Sequence, residues 1–434
     1  MAQPAITDDG LTPVVAVAPN GARAWADSTL AAFQFPVYRI VWLGSFLAFL
    51  AFNVSSTAQS LVAFDLTGNN HAVGTVMFGQ GVAMILLNPF GGAIADRFNK
   101  RLLILGAQGA IGVVILAIAI LLATDQISIF WLAVGSFMTG LMFAILGPSR
   151  TSLLSDVVSP SRIGNAMALL QVGSNFGRVC APVLAGVLLS WAFLGASGTY
   201  FLIAAVFVVV IITMSHIPSS PPRGKRTTSV LDDVKIGLKY ARRNTRLLHQ
   251  LVGYYAMTAL GFTYFVVMPG FVHHQLGEGK AAVGLLYGVT AIGGFLGSIT
   301  VASLADSQRA QLYLTLSSLV TVAALIAVGF MRSYEAAVVF LLFLGFGIAS
   351  FQTLNNSIAL RLSDAAYYGR VAGLLQIAWA LINLISLPVG FIADAIGEGA
   401  ALSAAGAVLG CIVLLMALWE RGISARERTA AAAA

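Results

Sequence analysis

The chain is poor in charge. Of its 434 residues only 9% are Asp, Glu, Lys or Arg, whereas soluble domains carry about 25%. Hydrophobic residues make up 58% of the chain. This balance excludes an ordinary water-soluble protein and predicts a polytopic membrane protein.

The sequence also lacks the motifs that catalysis needs. There is no G-x-x-x-x-G-K-[ST] loop, which argues against direct use of ATP. No H-E-x-x-H or G-x-S-x-G motif and no acidic pair within a span is present, which argues against a membrane enzyme or a lipid flippase. Cys180 and Cys411 both fall in apolar runs and are interpreted as packing residues. His273-His274 is a weak metal signal, and a solvated loop is preferred. We therefore expect no enzyme activity, cofactor or metal.

Long apolar runs are what the sequence does have. Twelve of them reach the roughly 20 residues that cross a bilayer as a helix. They lie near residues 39–62, 73–95, 102–122, 128–150, 164–190, 199–217, 249–271, 282–304, 311–331, 336–358, 371–394 and 401–420. The 44 glycines fit helices that pack closely through small residues. The predicted fold class is all-α integral membrane, with twelve transmembrane helices.

Basic residues are distributed unevenly between the two sides of these spans. With the N-terminus inside, all of the 24 Lys and Arg residues fall in inner connections or tails except Lys280, Arg332 and Arg178. This bias is the positive-inside rule. It predicts that both termini are cytoplasmic in a cell (inner) membrane protein. The net charge of +7 is thus explained by orientation, and no nucleic-acid partner is expected.

The chain repeats itself. The segment "AVGTVMFGQGVAMILLNPFGGAIAD" at 72–96 parallels "AVGLLYGVTAIGGFLGSITVASLAD" at 282–306, at an offset of 210 residues. Two six-helix pseudo-symmetric bundles follow, an organisation typical of transporters that rock one half against the other. The predicted divisions are a disordered cytoplasmic tail at 1–36, bundles at 37–217 and 248–420, a cytoplasmic linker at 218–247 and a tail at 421–434. We expect a monomer in the lipid bilayer.

The linker carries an amphipathic pattern. Val230, Val234, Leu238 and Ala241 recur at helical spacing among basic residues. This predicts a helix on the cytoplasmic membrane surface. Its role is either a basic anchor or a coupling element between the halves.

A motif after the second span names a superfamily. The segment "GGAIADRFNKR" resembles the G-x-x-x-D-R-x-x-R-R loop of the major facilitator superfamily, with matches at Gly92, Asp96, Arg97, Lys100 and Arg101. The resemblance implies charge pairs that hold the cytoplasmic side shut until the halves move. The second copy, "ASLADSQRAQ", keeps Asp306 but has Ser307 in place of the arginine. Further predicted members of this cytoplasmic gate lie at the inner ends of helices four and ten: Arg150, Asp156, Arg162, Asp364 and Arg370.

Shorter segments are similar to the transmembrane secretion effector group, which includes enterobactin exporters and macrolide efflux proteins. They include "GPSRTSLLSDVVSPSRIGNAMAL", "SNFGRVCAPVLAG" and "GLKYARRNTRLL". This resemblance implies export of a small organic molecule such as a siderophore, drug or secondary metabolite, usually driven by protons. No Asp or Glu falls clearly within the core of a span, so Asp65 and Asp96 are the remaining candidates for proton coupling. The alternative is an uptake symporter or uniporter, and a non-transporting sensor is also open.

Arg178 is the most unusual residue, because it lies near the middle of the fifth span. A central Arg costs at least about 2.5–3.5 kcal/mol on insertion scales, so it must face protein or water. Gln171, Asn175 and Arg178 share one helix face by spacing. The role is a position on the transport pathway or a gate. The alternative is a structural Arg satisfied by carbonyls and amides.

Other predicted pathway residues come from the superfamily resemblance, in which helices one, four, seven and ten line the cavity. It implies Asn53, Thr57, Tyr254, Thr258, Gln352, Asn355 and Asn356 as candidates. Gln376, Trp379 and Asn383 share a face of helix eleven and mirror the helix-five set.

Overall fold

Two helical bundles joined by a linker helix form the protein. This computed structural model describes residues 30–159, 162–219, 230–304, 307, 309–364 and 367–433. The N-terminal bundle contains α1 (Pro36–Thr67), α2 (Asn70–Arg97), α3 (Lys100–Ala123), α4 (Ile129–Val157), α5 (Ile163–Ser190) and α6 (Gly195–Ser215). The linker helix is α7 (Val230–Arg243). The C-terminal bundle contains α8 (Thr245–Gly261), α9 (Tyr264–Gly270), α10 (Lys280–Ala302), α11 (Ala310–Phe330), α12 (Tyr334–Arg361), α13 (Tyr368–Ile396) and α14 (Glu398–Ala433).

Within the described ranges, twelve helical segments are long and apolar enough to cross a membrane, as the sequence predicts. The seventh span comprises α8, α9 and a π-helical turn at Phe271–Leu276. The first long helix begins at Pro36, where its lack of an N–H costs nothing at a helix start. The predicted disordered tail lies outside the described residues up to position 29. Helix α14 continues through most of the predicted C-terminal tail.

The bundles meet along two seams, α2 with α13 and α5 with α10. Small residues allow the backbones to approach closely there. A Cβ added to Gly284 would lie 2.6 Å from the carbonyl oxygen of Pro182, and one added to Gly81 would lie 2.8 Å from the Cβ of Asn383. Substitutions with larger residues at these positions would separate the bundles.

The linker helix α7 packs against the C-terminal bundle. The rings of Tyr240 and Tyr367 stack at 4.0 Å between centroids. The Tyr240 hydroxyl donates to Asp364 at 3.1 Å and accepts from its backbone N–H at 2.9 Å. The predicted amphipathic helix is therefore present; its specific contacts are with the C-terminal bundle, and it also lies against α2 of the N-terminal bundle.

The end of the molecule that carries α7 is called the linker end here, and the opposite end the far end. On α5, the face that carries Gly164, Ala168, Gln171, Asn175 and Arg178 is exposed toward the linker end. Beyond Arg178 the helix is buried at Pro182, Ala185 and Gly186, where it meets α10.

Helix α13 shows the same change along its length. Ala372, Gly373 and Gln376 are exposed, whereas Ser386 and Gly390 are buried against α2. The space between the bundles is thus open toward the linker end and closed beyond the level of Arg178.

Candidate functional site

Arg178 is aimed into the space between the bundles by the packing of α5. Gly173 and Gly177 on the opposite face let α5 lie against Trp42 and Leu50 of α1. The Trp42 indole N–H donates to the Leu169 carbonyl at 3.0 Å, which fixes the two helices together. With this face committed to α1, the Arg178 side chain extends toward the C-terminal bundle.

Aromatic rings from both bundles surround the Arg178 guanidinium. Its central carbon lies 5.1 Å from the ring centroid of Trp379 on α13 and 5.9 Å from that of Phe49 on α1. Both distances fall in the range of cation–π interactions. The hydroxyls of Tyr254 and Tyr264 are close enough to interact electrostatically with the charge. The Arg178 guanidinium therefore contacts aromatic rings of both bundles at once.

The Arg178 side chain is exposed on the face of α5 that looks into the space between the bundles. Its guanidinium therefore lines the space between the bundles, next to Trp379 of the opposite bundle. Such a setting reduces the cost of the charge without removing its field. An anionic or electron-rich ligand in the cavity would meet this charge directly.

Further rings extend the aromatic surface around Arg178. Phe262 lies 5.5 Å from Trp379 and 5.9 Å from Phe265, and Phe52 stacks on Phe143 at 4.4 Å, all between centroids. Phe262 and Phe265 lie at the junction between α8 and α9. The chemistry of the site is one positive charge set among flat apolar surfaces.

The polar pathway candidates near Arg178 are bonded mostly to their own helices. The Gln171 amide donates to Asn175 at 3.0 Å, Asn53 donates to the Phe49 carbonyl at 2.7 Å, and Asn383 donates to the Trp379 carbonyl at 3.5 Å. Gln376, one turn from Trp379, is exposed. These five residues lie close to the cavity opening or to Phe49 and Trp379, and their roles stay predictions.

Other pathway candidates are buried inside the C-terminal bundle in this conformation. Tyr254, Thr258 and Asn355 are 2%, 1% and 0% exposed. Thr258 Oγ1, the Gln352 amide nitrogen and both side-chain atoms of Asn355 find no hydrogen-bond partner among the described residues. Asn356 of α12 is half-buried, as is Thr57 of α1 in the N-terminal bundle. Thr258 and Asn355 therefore lie behind the present cavity surface, and contact between a ligand and these two residues would require a rearrangement.

The described contacts of the predicted cytoplasmic gate join elements within one bundle or to the linker. Lys100 donates to Asp156 at 2.6 Å, between α3 and α4. Arg101 donates to the Ser215 carbonyl at 2.5 Å, and Asp364 is bonded to Tyr240. Arg97 and Arg162 are exposed, whereas Arg150 is half-buried.

Three gate predictions cannot be placed. Asp306 lies outside the described residues, and of Gly92 and Asp96 the structure describes only their place in helix α2. On the C-terminal side, Arg370 lies over the Tyr367 ring at 5.4 Å and against Gly237 of α7. In the conformation that has these contacts, the space between the bundles is open at the linker end.

A polar cluster at the far end was not predicted from the sequence. It consists of Asn70, His71, His274, Asp394 and Glu398, and is called the far-end lock below. Asp394 accepts from the backbone N–H groups of Asn70 at 2.7 Å and His71 at 2.8 Å, and from the His71 ring at 2.7 Å. A carboxylate of the C-terminal bundle thus caps the start of α2 in the N-terminal bundle.

The rest of the lock extends this contact. Glu398 accepts from Asn70 at 2.9 Å and pairs with His274 at 2.7 Å. Lys280 also pairs with Asp65 across the bundles. The sequence favours a solvated loop for His274. The acidic residues Asp394 and Glu398, close together where α13 ends and α14 begins, are the feature of the sequence that could have indicated its contact with Glu398.

The described residues form twelve helices able to span a membrane, in two bundles with a space between them that is open toward the linker end, which is the architecture of a membrane transporter. A family model described as Major Facilitator Superfamily matches residues 41–387. The chain belongs to that superfamily. It is a multi-pass protein of the inner membrane and a secondary transporter of small organic molecules.

Known relatives agree with this assignment. The chain is 25% identical over 358 residues to the enterobactin exporter EntS of Shigella flexneri, covering 82% of this chain and 83% of the relative. Its fold matches a bacterial homologue of the human lysosomal transporter Spinster in an inward-facing and occupied conformation, with a TM-score of 0.74, 14% identity and coverage of 90% and 97%. It also matches the nucleoside transporter NupG, with a TM-score of 0.73, 13% identity and coverage of 88% and 99%.

Proposed function

We propose that this transporter exports a small, aromatic and anionic organic molecule from the cytoplasm by alternating access, driven by protons. The observation that carries the proposal is the Arg178 guanidinium between Phe49 of one bundle and Trp379 of the other. Planar rings offer stacking surface and the guanidinium offers charge. A substrate with both properties gains from both kinds of contact.

The proposed orientation places the linker end in the cytoplasm, with both termini there. It rests on the positive-inside bias of the 24 Lys and Arg residues. The cavity then opens toward the cytoplasm, and the far-end lock closes the outer side. In this state the protein can take up cargo from inside the cell.

Export rather than uptake is supported by the similarity to EntS, which is an enterobactin exporter. Uptake by a symporter or uniporter is the second candidate, because a reversible cavity of this kind can serve either direction. Proton coupling also belongs to the proposal. The described spans offer Asp65, Asp394 and Glu398 toward the far end as acidic groups, all engaged in contacts between the bundles.

Flux in inverted membrane vesicles tests the direction. With an aromatic carboxylate as probe and an imposed proton gradient, export requires accumulation inside inverted vesicles. Accumulation only in right-side-out vesicles would establish uptake instead. Dissipating the gradient with a protonophore should abolish the accumulation if protons drive it.

Substitutions of Arg178 test the site in the same vesicles. Arg178→Ala should lower transport at least 100-fold, because no charge remains to meet the anion. Arg178→Lys should retain part of the activity, since the charge stays while the planar stack is lost. Arg332→Ala, an exposed arginine near the far end, is the matched control and should transport normally. Normal transport by Arg178→Ala at equal membrane levels would refute the proposed site.

A further inference from the structure

A second cavity lies inside the C-terminal bundle, away from the space between the bundles. It measures about 290 Å³, is lined by residues of α8, α11, α12 and α14, and is partly open at the surface of the bundle. Most of its wall is apolar, with Met257, Leu314 and Leu409 among the lining residues. At its linker end stand the polar groups His249, Gln250, Gln311, Glu420 and Arg421, and Thr315 and Ser318 also line the wall.

His249 is a buried side chain with one ring nitrogen left open. It is 3% exposed. Its Nε2 is bonded to the Met416 carbonyl at 2.9 Å, which requires a proton on that nitrogen. Its Nδ1 has no hydrogen-bond partner among the described residues. In the neutral ring Nδ1 is therefore an acceptor that lacks a donor.

A second acceptor lies beside it. Glu420 Oε2 is 3.7 Å from His249 Nδ1. Gln250 is already bonded to Gln311 at 2.7 Å. The two neighbouring acceptors match a ligand nitrogen that carries several N–H groups and a positive charge, which is an ammonium group. Arg421, also on the wall, adds a partner for a negative charge in the same ligand.

The cavity has the shape of a site for an amphipathic molecule. From His249 to Met257 the helix rises about 12 Å, and from Glu420 to Leu409 about 16 Å, at 1.5 Å per residue. Polar groups thus lie at the depth of the bilayer interface, and the apolar wall extends toward the membrane centre. Lipids in the adjacent leaflet have the same order of head and tail.

The N-terminal bundle provides an internal comparison. Gly253 of α8 lies 209 positions after Gly44 of α1, so the two glycines correspond in the repeat. A Cβ on Gly44 would lie 2.6 Å from Met214 Cε, and Met214 is 1% exposed, so that space is filled. A Cβ on Gly253 would lie 3.4 Å from Met416 Cε, beside the cavity. At the same offset, Ile40 stands where His249 would be.

We infer that this cavity, lined by His249, Glu420 and Arg421, binds a phospholipid with an ammonium headgroup. The ammonium donates to His249 Nδ1 and pairs with Glu420. The phosphate faces Arg421, and acyl carbons fill the apolar wall. The repeat comparison supports a specific site, since neither the polar pair nor the open space recurs in the N-terminal bundle at these positions.

Native mass spectrometry of the full-length protein with lipids of identical acyl chains tests this inference. The probes are phosphatidylethanolamine, its N-methylated series ending in phosphatidylcholine, and phosphatidylglycerol. We expect retention to fall at least fivefold from the primary ammonium to the trimethylated headgroup, which keeps its charge but has no N–H. Equal retention across this series, or preferred retention of phosphatidylglycerol, would overturn the inference. This arm needs no substitution.

Variants locate the site. Glu420→Gln and His249→Leu should each bring phosphatidylethanolamine retention down to the phosphatidylcholine level. His216→Leu is the matched control, because this histidine at the end of α6 bonds only its own helix, at Ile212, and should leave retention unchanged. Circular dichroism and gel filtration establish that the variants fold. Wild-type retention in both folded cavity variants would place the lipid elsewhere and refute the site.

Discussion

At the scale of the residue, Arg178 is a charge whose surroundings come from two bundles. The cost of placing it in a span, at least about 2.5–3.5 kcal/mol, is offset by hydration from the cavity and by ring faces worth about 0.5–2 kcal/mol each. Trp379 belongs to the C-terminal bundle and Arg178 to the N-terminal one. Movement of the bundles therefore changes the stabilisation of this charge.

Trp379 gives the sharpest residue-scale prediction. Trp379→Leu removes the ring face and should weaken apparent substrate affinity about tenfold, which corresponds to about 1.4 kcal/mol. Trp379→Phe keeps an aromatic face and should lose less than threefold. The concentration dependence of transport in proteoliposomes measures both.

Trp131→Leu is the control for this pair, because Trp131 is an exposed tryptophan on α4. It should leave the apparent affinity unchanged. If Phe and Leu at position 379 impair transport equally, then a stacking role for Trp379 is wrong.

The residue patterns predicted which faces matter but not what they meet. Helical spacing singled out Arg178 on α5 and Trp379 on α13 separately. Their contact joins residues 201 positions apart and depends on how far the bundles tilt, which no local pattern encodes. The sequence also could not predict that Asn355 and Thr258 are buried behind the cavity surface, because a polar residue in an apolar run can face either a cavity or a neighbouring helix.

At the scale of the element, the seam between α5 and α10 depends on two glycines. A Cβ on Gly186 would lie 2.9 Å from the Lys280 carbonyl, and Gly284 is equally crowded by Pro182. Overpacking of such contacts costs about 1–3 kcal/mol. The seam can relieve that cost by separating, because it joins two bundles rather than two parts of one core.

Gly284→Leu should therefore shift the protein toward a far-end-open state. Spin labels are placed at Asn69 and Glu278 in a background that lacks Cys180 and Cys411. Double electron–electron resonance spectroscopy then measures the distance between the two labels, which reports the separation of the bundles at the far end. We expect a longer-distance population in the variant and a lower rate of transport.

Gly106→Leu is the matched control on α3, since nothing lies within 4 Å of a Cβ added there. Its distance distribution should equal that of the parent protein. An unchanged distribution in Gly284→Leu would show that the seam does not set the conformational balance.

At the scale of the whole molecule, the far-end lock holds one end of the transport path closed. Asp394 alone accepts two backbone and two side-chain hydrogen bonds from the start of α2. Hydrogen bonds to charged groups contribute about 1.5–3 kcal/mol each. Opening this end exchanges them for bonds to water, so the lock biases the balance between the two states.

Asp394→Asn should raise the ratio of far-end-open to far-end-closed protein at least tenfold, about 1.4 kcal/mol. The amide removes the negative charge and leaves one acceptor for several donors. The same spin labels measure the ratio. Glu335→Gln, which removes an exposed carboxylate at the start of α12, should not change it. A closed distribution in Asp394→Asn would assign closure to the glycine seams alone.

Sequence reasoning predicted the architecture well because its signals are local or periodic. Hydropathy gave twelve spans and the repeat gave two bundles. The far-end lock escaped it for the opposite reason. Asn70, His71, Asp394 and Glu398 each stand at a helix end, where polar residues are ordinary, and only the folded chain brings them together. The sequence also did not predict that the linker end is open, since a sequence does not specify whether the state open at the linker end or the state open at the far end is populated.

The cap on α2 bears on how the chain is made. Asp394 follows Asn70 by 324 residues, so the ribosome delivers α2 to the membrane long before its carboxylate exists. Until then water must satisfy the N–H groups at Asn70 and His71. The cap on the start of α2 is therefore supplied by α13, one of the last helices to be translated.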